Sequence, residues 1–386
     1  MSSIVSFEIA GLAGREEIVR HELHSDVNVF WGPNGGGKTS TLKILHSALQ
    51  NDASILVRVP FDSAVVRIRS GSKIIERRIK NLSSKNMQER AIDATLFDDY
   101  EWRDRQAGQR LIDVAEKMRW TSKPASTTAF NHSYLSILRL SDSPRTRPGV
   151  PSSDILDEVA YDRMFARQIQ NIWRDYYMRE LMQVRTAQQN ALVAIATSVM
   201  SRSTVSRKKK ATASDIGAES GYIAVKSFFE SQNLDPHFGG YEKFSTNYQT
   251  NDLMREVVAE IVEVQNGLEA AQEPKRAIEE LIDELFRGRM RVDLGGRYLR
   301  ITQGQRDIPL ESLSSGQKQV VRILVECLTA GSNSVIIDEP EISMHVDWQH
   351  RLVSCMQTVN PNAQLILATH SPEIMATLLD RNIIEL

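Results

Sequence analysis

Hydrophobic and polar positions alternate through the first eighty residues and predict a set of β-strands. Apolar side chains recur from Ile4 to Leu12, and residues 27–31 form a short β-branched and aromatic run. From Thr39 onward the apolar residues recur at helical spacing. Three further runs predict a small antiparallel sheet, the last two joined by a turn at residues 70–72; they cover residues 54–59, 64–69 and 73–79.

Helical patterns occupy the middle of the chain, and strand patterns return after it. Apolar positions recur at helical spacing over residues 155–204 and again over residues 252–286. The last hundred residues predict a hairpin around Gly295 and Gly296, strands at 335–337, 365–367 and 383–384, and a helix at 346–359. We therefore expect an α/β fold in which residues 1–150 and 291–386 form one head and residues 151–290 form a mostly helical insertion.

Composition narrows the class of protein. The chain has 386 residues, 41% hydrophobic and 25% charged, as in ordinary globular proteins. A formal charge of -2 excludes a uniformly basic surface for nucleic acid. The two cysteines lie outside any Cys/His cluster, which predicts reduced thiols and no structural zinc site. No apolar run reaches the ~20 residues that span a bilayer, and no signal-peptide pattern is present, so we expect a cytoplasmic protein without a membrane partner.

Residues 32–39 carry the clearest chemical pattern in the chain. Their sequence, Gly-Pro-Asn-Gly-Gly-Gly-Lys-Thr, fits G-x-x-x-x-G-K-[ST] between a predicted strand and a predicted helix. In such a loop the backbone N–H groups surround phosphates, Lys38 neutralises phosphate oxygens and Thr39 ligates Mg²⁺. The sequence therefore predicts a Mg²⁺-ATP site, and its nucleotide-binding residues are Gly32, Pro33, Asn34, Gly35, Gly36, Gly37, Lys38, Thr39 and Ser40.

Two acidic residues end the predicted strand at 335–337. Burying paired carboxylates is costly unless a cation or a donor accompanies them. A Mg²⁺-ATP site supplies that partner, so we predict that Asp338 binds Mg²⁺ together with Thr39. Glu339 is then the candidate general base that activates the attacking water.

Two further polar segments adjoin predicted elements of the second half. Residues 313–317, Leu-Ser-Ser-Gly-Gln, precede a helix and form a candidate anion-binding cap, although an ordinary helix N-cap has the same composition. His370 follows the strand at 365–367, where a sensor of the γ-phosphate would lie, although a lone histidine is more often structural.

These four segments, in this order, resemble the motifs of the ATP-binding cassette (ABC) ATPases: Walker A, signature, Walker B and switch histidine. The resemblance implies catalytic roles for Glu339, His370 and Lys38. It also implies a homodimer in which two heads enclose two ATP molecules. Each signature motif would then contact the nucleotide of the other protomer through Ser314, Ser315, Gly316 and Gln317. A larger assembly of such dimers stays open.

Within that superfamily, residues 338–345 and 368–372 are most similar to the OLD/RecF-like branch, which includes the PtuA-type ATPase subunits of prokaryotic anti-phage defence. The resemblance implies an ATPase that regulates or scaffolds a separate effector, a nuclease or a toxin. Only 16 residues follow His370, too few for the nuclease domain of OLD-type proteins, so we expect any nuclease to be a separate polypeptide.

Some positions depart from the family pattern. Ser315 stands where transporter cassettes usually have glycine, and Val346 follows His345 where this branch often has proline. No Q-loop glutamine is assigned; the candidates are Gln88, Gln106 and Gln109. Arg139 is a weak candidate for a nucleotide contact.

The alternative function is a RecF/SMC-like DNA-repair ATPase that clamps DNA. Candidate DNA contacts are Arg67, Arg69, Lys73, Arg77, Arg78, Lys80, Lys208, Lys209 and Lys210, each of which also fits a solvated surface. A transporter cassette would need a membrane-domain partner and fits the long insertion less well. The trigger, and whether hydrolysis activates or restrains the effector, stay open.

Overall fold

The computed structural model describes residues 2–81, 118–136, 158–200, 216–231 and 239–386. The chain forms two compact units. Unit 1 comprises Met1–Ile172, Ile278–Asp293 and Leu299–Leu386, and unit 2 comprises Trp173–Ala277 and Leu294–Tyr298.

A parallel sheet of five strands forms the centre of unit 1 and draws on both ends of the chain. Its strands are β3 (Val27–Trp31), β7 (Ser133–Leu135), β11 (Ser334–Asp338), β12 (Gln364–Ala368) and β13 (Ile383–Glu385), in the order β13-β3-β12-β11-β7. The strands β11 and β12 are buried along their whole length, as their continuous apolar runs predict. The predicted α/β fold class is confirmed.

An antiparallel sheet lies in the same unit. It contains β1 (Ser2–Ala10), β2 (Val19–Glu22), β4 (Ser63–Ser70), β5 (Lys73–Lys80) and β6 (Thr121–Lys123), in the order β2-β1-β4-β5-β6. The hairpin of β4 and β5 is confirmed, but the strand predicted at residues 54–59 is wrong. Ser54–Leu56 is a 3₁₀ turn, begun by a hydrogen bond from Ser54 N to Asp52 Oδ1 at 2.9 Å. The neighbour of β4 is instead β1.

One helix packs its apolar face into the core of unit 1. Helix α1 (Lys38–Gln50) buries Leu42, Ile44, Leu45 and Leu49 in a cluster that also includes Phe7 of the antiparallel sheet and Ile366 of the parallel sheet. Residues 32–39, called the phosphate loop below, lead into this helix. The residues that follow the loop are thus fixed by packing against both sheets.

Arg77 belongs to this core, so its prediction as a DNA contact is wrong. Alternation along β5 puts it on the same buried face as Ile75 and Ile79. Its guanidinium donates to the carbonyls of Ala48, Leu49 and Thr128. Burial lowers the pKa of Arg77 to about 10, so the side chain stays charged at neutral pH.

The remaining elements of unit 1 are a third sheet and three helices. A small antiparallel sheet contains β8 (Arg291–Asp293), β9 (Arg300–Gln303) and β10 (Arg306–Ile308), which confirms the hairpin predicted near Gly295. The helices that follow are α6 (Ser315–Thr329), α7 (Val346–Val359) and α8 (Pro372–Met375). Both cysteines are buried and free.

The described middle of the chain is helical, as the spacing predicts. Its helices are α2 (Glu158–Met200), α3 (Ala218–Ser231), α4 (Tyr241–Thr250) and α5 (Asp252–Leu285). Unit 2 has its own core of Val225, Phe228, Phe244, Tyr248, Val258 and Ile261. Within the described residues, none of the helices combines the length and apolarity that crossing a membrane requires.

Candidate nucleotide-binding site

The predicted site residues of both chain ends meet at one edge of the parallel sheet. In the sheet register Phe30 of β3, Ala368 of β12 and Asp338 of β11 form one row, each near the carboxyl end of its strand. The chain continues from these ends into the phosphate loop, His370 and Glu339 respectively. This edge is where ligands bind in open α/β sheets.

The phosphate loop requires glycine at its two ends. A Cβ on Gly32 would lie 2.3 Å from the carbonyl oxygen of Leu386, and a Cβ on Gly37 would lie 2.8 Å from Leu12 Cγ. Gly37 also has a φ of +93°, which side chains rarely adopt. The intervening residues Pro33, Asn34 and Gly35 are exposed, so the middle of the loop faces solvent.

Lys38 is held inside this loop. Its Nζ donates to the carbonyl oxygens of Gly32 at 2.9 Å and Pro33 at 3.0 Å. Burial lowers the pKa of the Lys38 ammonium, and the charges of Glu339, Asp338 and Glu341 oppose that shift. The loop therefore contains a buried cation with only neutral oxygens bound to it, as an anion-binding site requires.

Thr39 and Asp338 meet although 299 positions separate them. Thr39 Oγ1 donates to Asp338 Oδ1 at 3.2 Å. Asp338 is 1% exposed, and its Oδ2 has no hydrogen-bond partner in the described part of the chain. Burial, with the nearby charges of Glu339 and Glu341, raises the pKa of Asp338 to about 6.

This donor set fits Mg²⁺. A hydroxyl, a carboxylate and an orphaned carboxylate oxygen are oxygen ligands, and Mg²⁺ commonly takes only one or two protein ligands, completing its shell with water and phosphate oxygens. Within the described ranges, no group of three or more His, Cys, Asp or Glu side chains could hold a metal ion.

The raised pKa of Asp338 predicts pH-dependent stability without nucleotide or Mg²⁺. The pKa of Asp338 is higher in the folded state than in the unfolded state, so the folded state binds the proton more tightly. The free energy of unfolding therefore falls as the pH rises from ~4 to ~6. Above that range the buried charge costs about 3 kcal/mol. Asp338→Asn is expected to raise the melting temperature more at about pH 7.5 than at about pH 5 in thermal unfolding.

The control for this experiment is Asp307→Asn, because Asp307 is exposed. That variant is expected to melt like the wild type at both pH values. Equal destabilisation by Asp338→Asn at both pH values would contradict the cost of burying this charge.

Glu339 and His370 approach each other beyond the ends of β11 and β12. Glu339 Oε1 lies 3.9 Å from His370 Nε2. The backbone N–H of Glu339 donates to Ala368 O at 2.8 Å, and Glu339 has a φ of +48°. This turn directs the chain out of the sheet immediately after Asp338, while Glu339 remains solvent-accessible. The arrangement suits a base and a polar partner beside a phosphate.

The predicted signature residues form a capped helix start. Ser314 Oγ accepts from Gln317 N at 3.3 Å, and Gln317 Oε1 accepts from Ser314 N at 2.9 Å, which is a capping box. Gly316 is required because a Cβ there would lie 2.5 Å from Ser343 O. Ser314 and Ser315 are exposed, and across the described ranges no hydrogen bond joins residues 314–317 to the phosphate loop.

A cavity of about 690 Å³ adjoins this helix start. Its lining includes Gln317, Trp348, His345, Arg287 and Arg289. The two arginines are exposed and have no ion pair within the described residues. The exposed Asp347 also lines this cavity, so the surface beside the signature residues is concave and carries both basic and acidic side chains.

Several residues near the site were missed by the sequence analysis. Glu341 Oε1 accepts a hydrogen bond from His370 N at 2.7 Å. Arg15 lies beside the phosphate loop, with Nη2 3.6 Å from where a Cβ on Gly36 would be. Only Glu341 had a local signal, since it is the third acid in the segment Asp-Glu-Pro-Glu.

Some predicted residues lie outside the described residues. They are Gln88, Gln106, Gln109, Arg139 and the basic residues Lys208, Lys209 and Lys210. Ser40 lies in the first turn of α1 and is half-buried.

A family model described as "AAA domain, putative AbiEii toxin, Type IV TA system" matches residues 226–376. Two curated relatives match shorter stretches. "Retron Vc95 probable ATPase" from Vibrio cholerae serotype O1 biovar El Tor is 29% identical over 90 residues, 20% of this chain and 18% of that protein. "Retron Ec83 probable ATPase" from Escherichia coli is 29% identical over 84 residues, 18% of this chain and 16% of that protein. The chain thus spans less than a fifth of either relative.

Two solved structures are similar over nearly the whole chain. The Smc head domain with an extended coiled coil, bound to the C-terminal domain of ScpA from Pyrococcus furiosus, is 14% identical with a TM-score of 0.42, covering 100% of this chain and 93% of that chain. The SmcHead bound to the C-winged helix domain of ScpA is 12% identical with a TM-score of 0.43, covering 99% of this chain and 93% of that chain.

Proposed function

We propose that this protein is an ATPase that binds Mg²⁺-ATP at the phosphate loop and hydrolyses it to ADP and phosphate. The observation that carries the proposal is Asp338, a buried carboxylate with an unpartnered oxygen, bonded to Thr39 of the loop. Burying this group without a cation is costly, and Mg²⁺-ATP supplies the cation. The names of the matching family model and relatives support the same activity.

Each residue has a role in the proposed reaction. Lys38 exchanges the carbonyls of Gly32 and Pro33 for phosphate oxygens and holds the chain of phosphates in place. Thr39 and Asp338 would hold Mg²⁺, which would neutralise the charge that develops on the phosphates. Glu339 orients the attacking water and accepts its proton, and His370 contacts the γ-phosphate beside it.

The proposed active form is a homodimer in which residues 314–317 contact the nucleotide of the other protomer. The exposure of Ser314 and Ser315, and the two exposed arginines that line the adjoining cavity, Arg287 and Arg289, support this arrangement. An exposed helix N-terminus with hydroxyl side chains attracts phosphate.

Ser315→Glu is expected to weaken ATP-driven dimerisation by at least ~10-fold, because its carboxylate would face phosphate oxygens. Acidic residues are well tolerated in the first turn of a helix, so α6 should still fold. ATP affinity of the monomer should change by less than ~3-fold, since a surface substitution away from the cis phosphate loop has little effect. Light scattering with ATP in a Glu339→Gln background measures dimerisation, and fluorescent-ATP titration measures binding.

The matched control is Ser354→Glu on α7, another exposed serine. It should dimerise like the parent. Weakened ATP binding by Ser315→Glu with unchanged dimerisation would contradict the contact between protomers.

We further propose that the ATPase regulates a separate effector, a nuclease or a toxin, in the cytoplasm of a prokaryote as part of anti-phage defence. The support is the resemblance of residues 338–345 to the OLD/RecF-like branch, together with the retron and toxin–antitoxin descriptions of the matching proteins.

Steady-state ATP hydrolysis with and without linear double-stranded DNA, with Glu339→Gln as the blank, tests the activity and its alternative. We expect turnover above the blank that DNA leaves unchanged, which indicates control by a protein partner. Strong stimulation that high salt removes would favour the DNA clamp, for which Arg69, Lys73 and Lys80 remain exposed and free of ion pairs in the described residues. No turnover above the blank would contradict the ATPase.

A further inference from the structure

Glu341 joins the ends of the two strands that carry the candidate catalytic residues. It lies in the turn after β11, and its Oε1 accepts a hydrogen bond from the backbone N–H of His370, after β12, at 2.7 Å. A hydrogen bond to a charged acceptor is stronger than one between neutral groups. The carboxylate of Glu341 therefore sets where His370 leaves the sheet.

The other oxygen of the same carboxylate is unsatisfied. Glu341 Oε2 is buried and has no hydrogen-bond partner in the part of the chain that the structure describes. Buried carboxylate oxygens are normally paired, and an exception indicates a missing water or ion. Asp338 Oδ2, three positions earlier, is unsatisfied in the same way. Among the described residues, both oxygens thus lack the partner that a buried carboxylate normally has, and a water molecule or a cation would supply it.

The charge of Glu341 acts on the phosphate loop. It opposes the lowering of the Lys38 pKa and adds to the raising of the Asp338 pKa, so its carboxylate lies within electrostatic range of both groups. Glu341 thus belongs to the same charge cluster as the predicted metal ligand and the phosphate-binding lysine.

The turn that carries Glu341 is held by a network of its own. Met344 N donates to Glu341 O at 2.9 Å, and Gln349 Nε2 donates to Met344 O at 2.8 Å. Gln349 Oε1 accepts from Ser371 Oγ at 2.8 Å, next to His370. Because the backbone of Glu341 is fixed independently of its side chain, the carboxylate can determine the position of His370.

We propose that Glu341 is a positioning residue of the ATPase site: Oε1 holds the backbone of His370, and Oε2 accepts a hydrogen bond from a water molecule that enters with Mg²⁺-ATP. The second half of the proposal rests on the proposed function, and the first half rests on the hydrogen bond between Glu341 Oε1 and His370 N. The two oxygens of this carboxylate thus have separate roles, one in positioning His370 and one in binding water.

Two substitutions separate these duties. Glu341→Gln retains a carbonyl oxygen for His370 N–H but removes the charge, whereas Glu341→Ala removes both. The control is Glu373→Gln, a half-buried glutamate three residues after His370 whose Oε2 lies 3.8 Å from His350 Nδ1. Hydrogen exchange of the His370 amide without nucleotide measures the anchor, and kcat, ATP affinity and the Mg²⁺ dependence of turnover measure the second duty.

We expect Glu341→Gln to lower kcat by ~10- to 100-fold and to raise the Mg²⁺ concentration for half-maximal turnover, because partners of metal-bound groups have effects of this size. Its ATP affinity should change by less than ~3-fold. Its His370 amide should exchange only slightly faster than in the wild type, since the anchoring oxygen remains while its charge is lost. Glu341→Ala should exchange this amide faster still, and the control should match the wild type.

The possible results test the two parts of the proposal, the anchor through Oε1 and the water contact through Oε2, independently. Wild-type kcat and Mg²⁺ dependence in Glu341→Gln would overturn the role of Oε2. Unchanged exchange of the His370 amide in Glu341→Ala would overturn the anchor. Absence of turnover in the wild type would refute the proposed function, whereas the exchange measurement, which needs no nucleotide, would still decide the anchor. If Glu341→Ala fails to fold, Glu341→Asp, which shortens the side chain, replaces it in the exchange measurement.

Discussion

Replacing Lys38 with alanine is expected to weaken ATP binding by at least ~100-fold and to abolish hydrolysis, since two charge-assisted hydrogen bonds to phosphate are worth at least about 3 kcal/mol together. The ammonium is buried in the phosphate loop and donates to the carbonyls of Gly32 and Pro33, so Lys38→Ala leaves that position without a cation. Titration with fluorescent ATP measures the affinity, and phosphate release measures the turnover.

Two further variants make this experiment specific. Lys38→Arg should also fail, because a planar guanidinium does not fit the position of a compact ammonium between two backbone carbonyls. Lys73→Ala removes an exposed lysine next to the hairpin turn and should bind and hydrolyse ATP normally in the absence of DNA. Wild-type affinity of Lys38→Ala would refute the assignment of residues 32–39 as the nucleotide site.

Glu339→Gln is expected to bind ATP with near-normal affinity and to lower kcat by ~100- to 10,000-fold, the range that a positioned general base contributes. Glutamine has the same shape but cannot accept the proton of the attacking water. The side chain lies partly exposed beyond the sheet edge, with Oε1 3.9 Å from His370 Nε2, so this isosteric substitution should leave the fold unaffected. Single-turnover hydrolysis with excess protein measures the chemical step.

The same variant should accumulate the ATP-bound dimer, because a dimer that opens after hydrolysis persists when hydrolysis is slow. Light scattering with and without ATP measures this population. The control is Glu22→Gln on the exposed edge of the antiparallel sheet, which should turn over normally. Normal turnover by Glu339→Gln would show that another group acts as the base.

Those elements of the fold that a local pattern of apolar residues determines were predictable from the sequence. The strands at 335–337 and 365–367 are continuous apolar runs that need no partner to be recognised, and both are fully buried. The prediction at 54–59 failed because a polar contact from Asp52 begins a 3₁₀ turn within an apolar segment. Arg77 alternates with period two together with Ile75 and Ile79, a pattern that predicts burial. Because Arg77 is charged, it was instead predicted to be on the surface.

The same distinction between local and long-range signals applies to the candidate site. The phosphate loop is eight consecutive residues, so its sequence specifies both its shape and its chemistry. The proposed role of Glu341 was not predictable from the sequence. Its hydrogen bond to His370 N spans 29 positions and depends on how the ends of β11 and β12 are aligned in the sheet.

The order of amino acids alone thus specifies the phosphate loop, the acids after an apolar strand and the alternation of α and β segments, since each depends on neighbours along the chain. Only the tertiary structure brings Thr39 within 3.2 Å of Asp338 across 299 positions and leaves one oxygen of Asp338 buried and unpaired. The physical reason is the parallel register of β3, β12 and β11, which aligns their carboxyl ends. Asp338, at the end of β11, is thereby buried away from water.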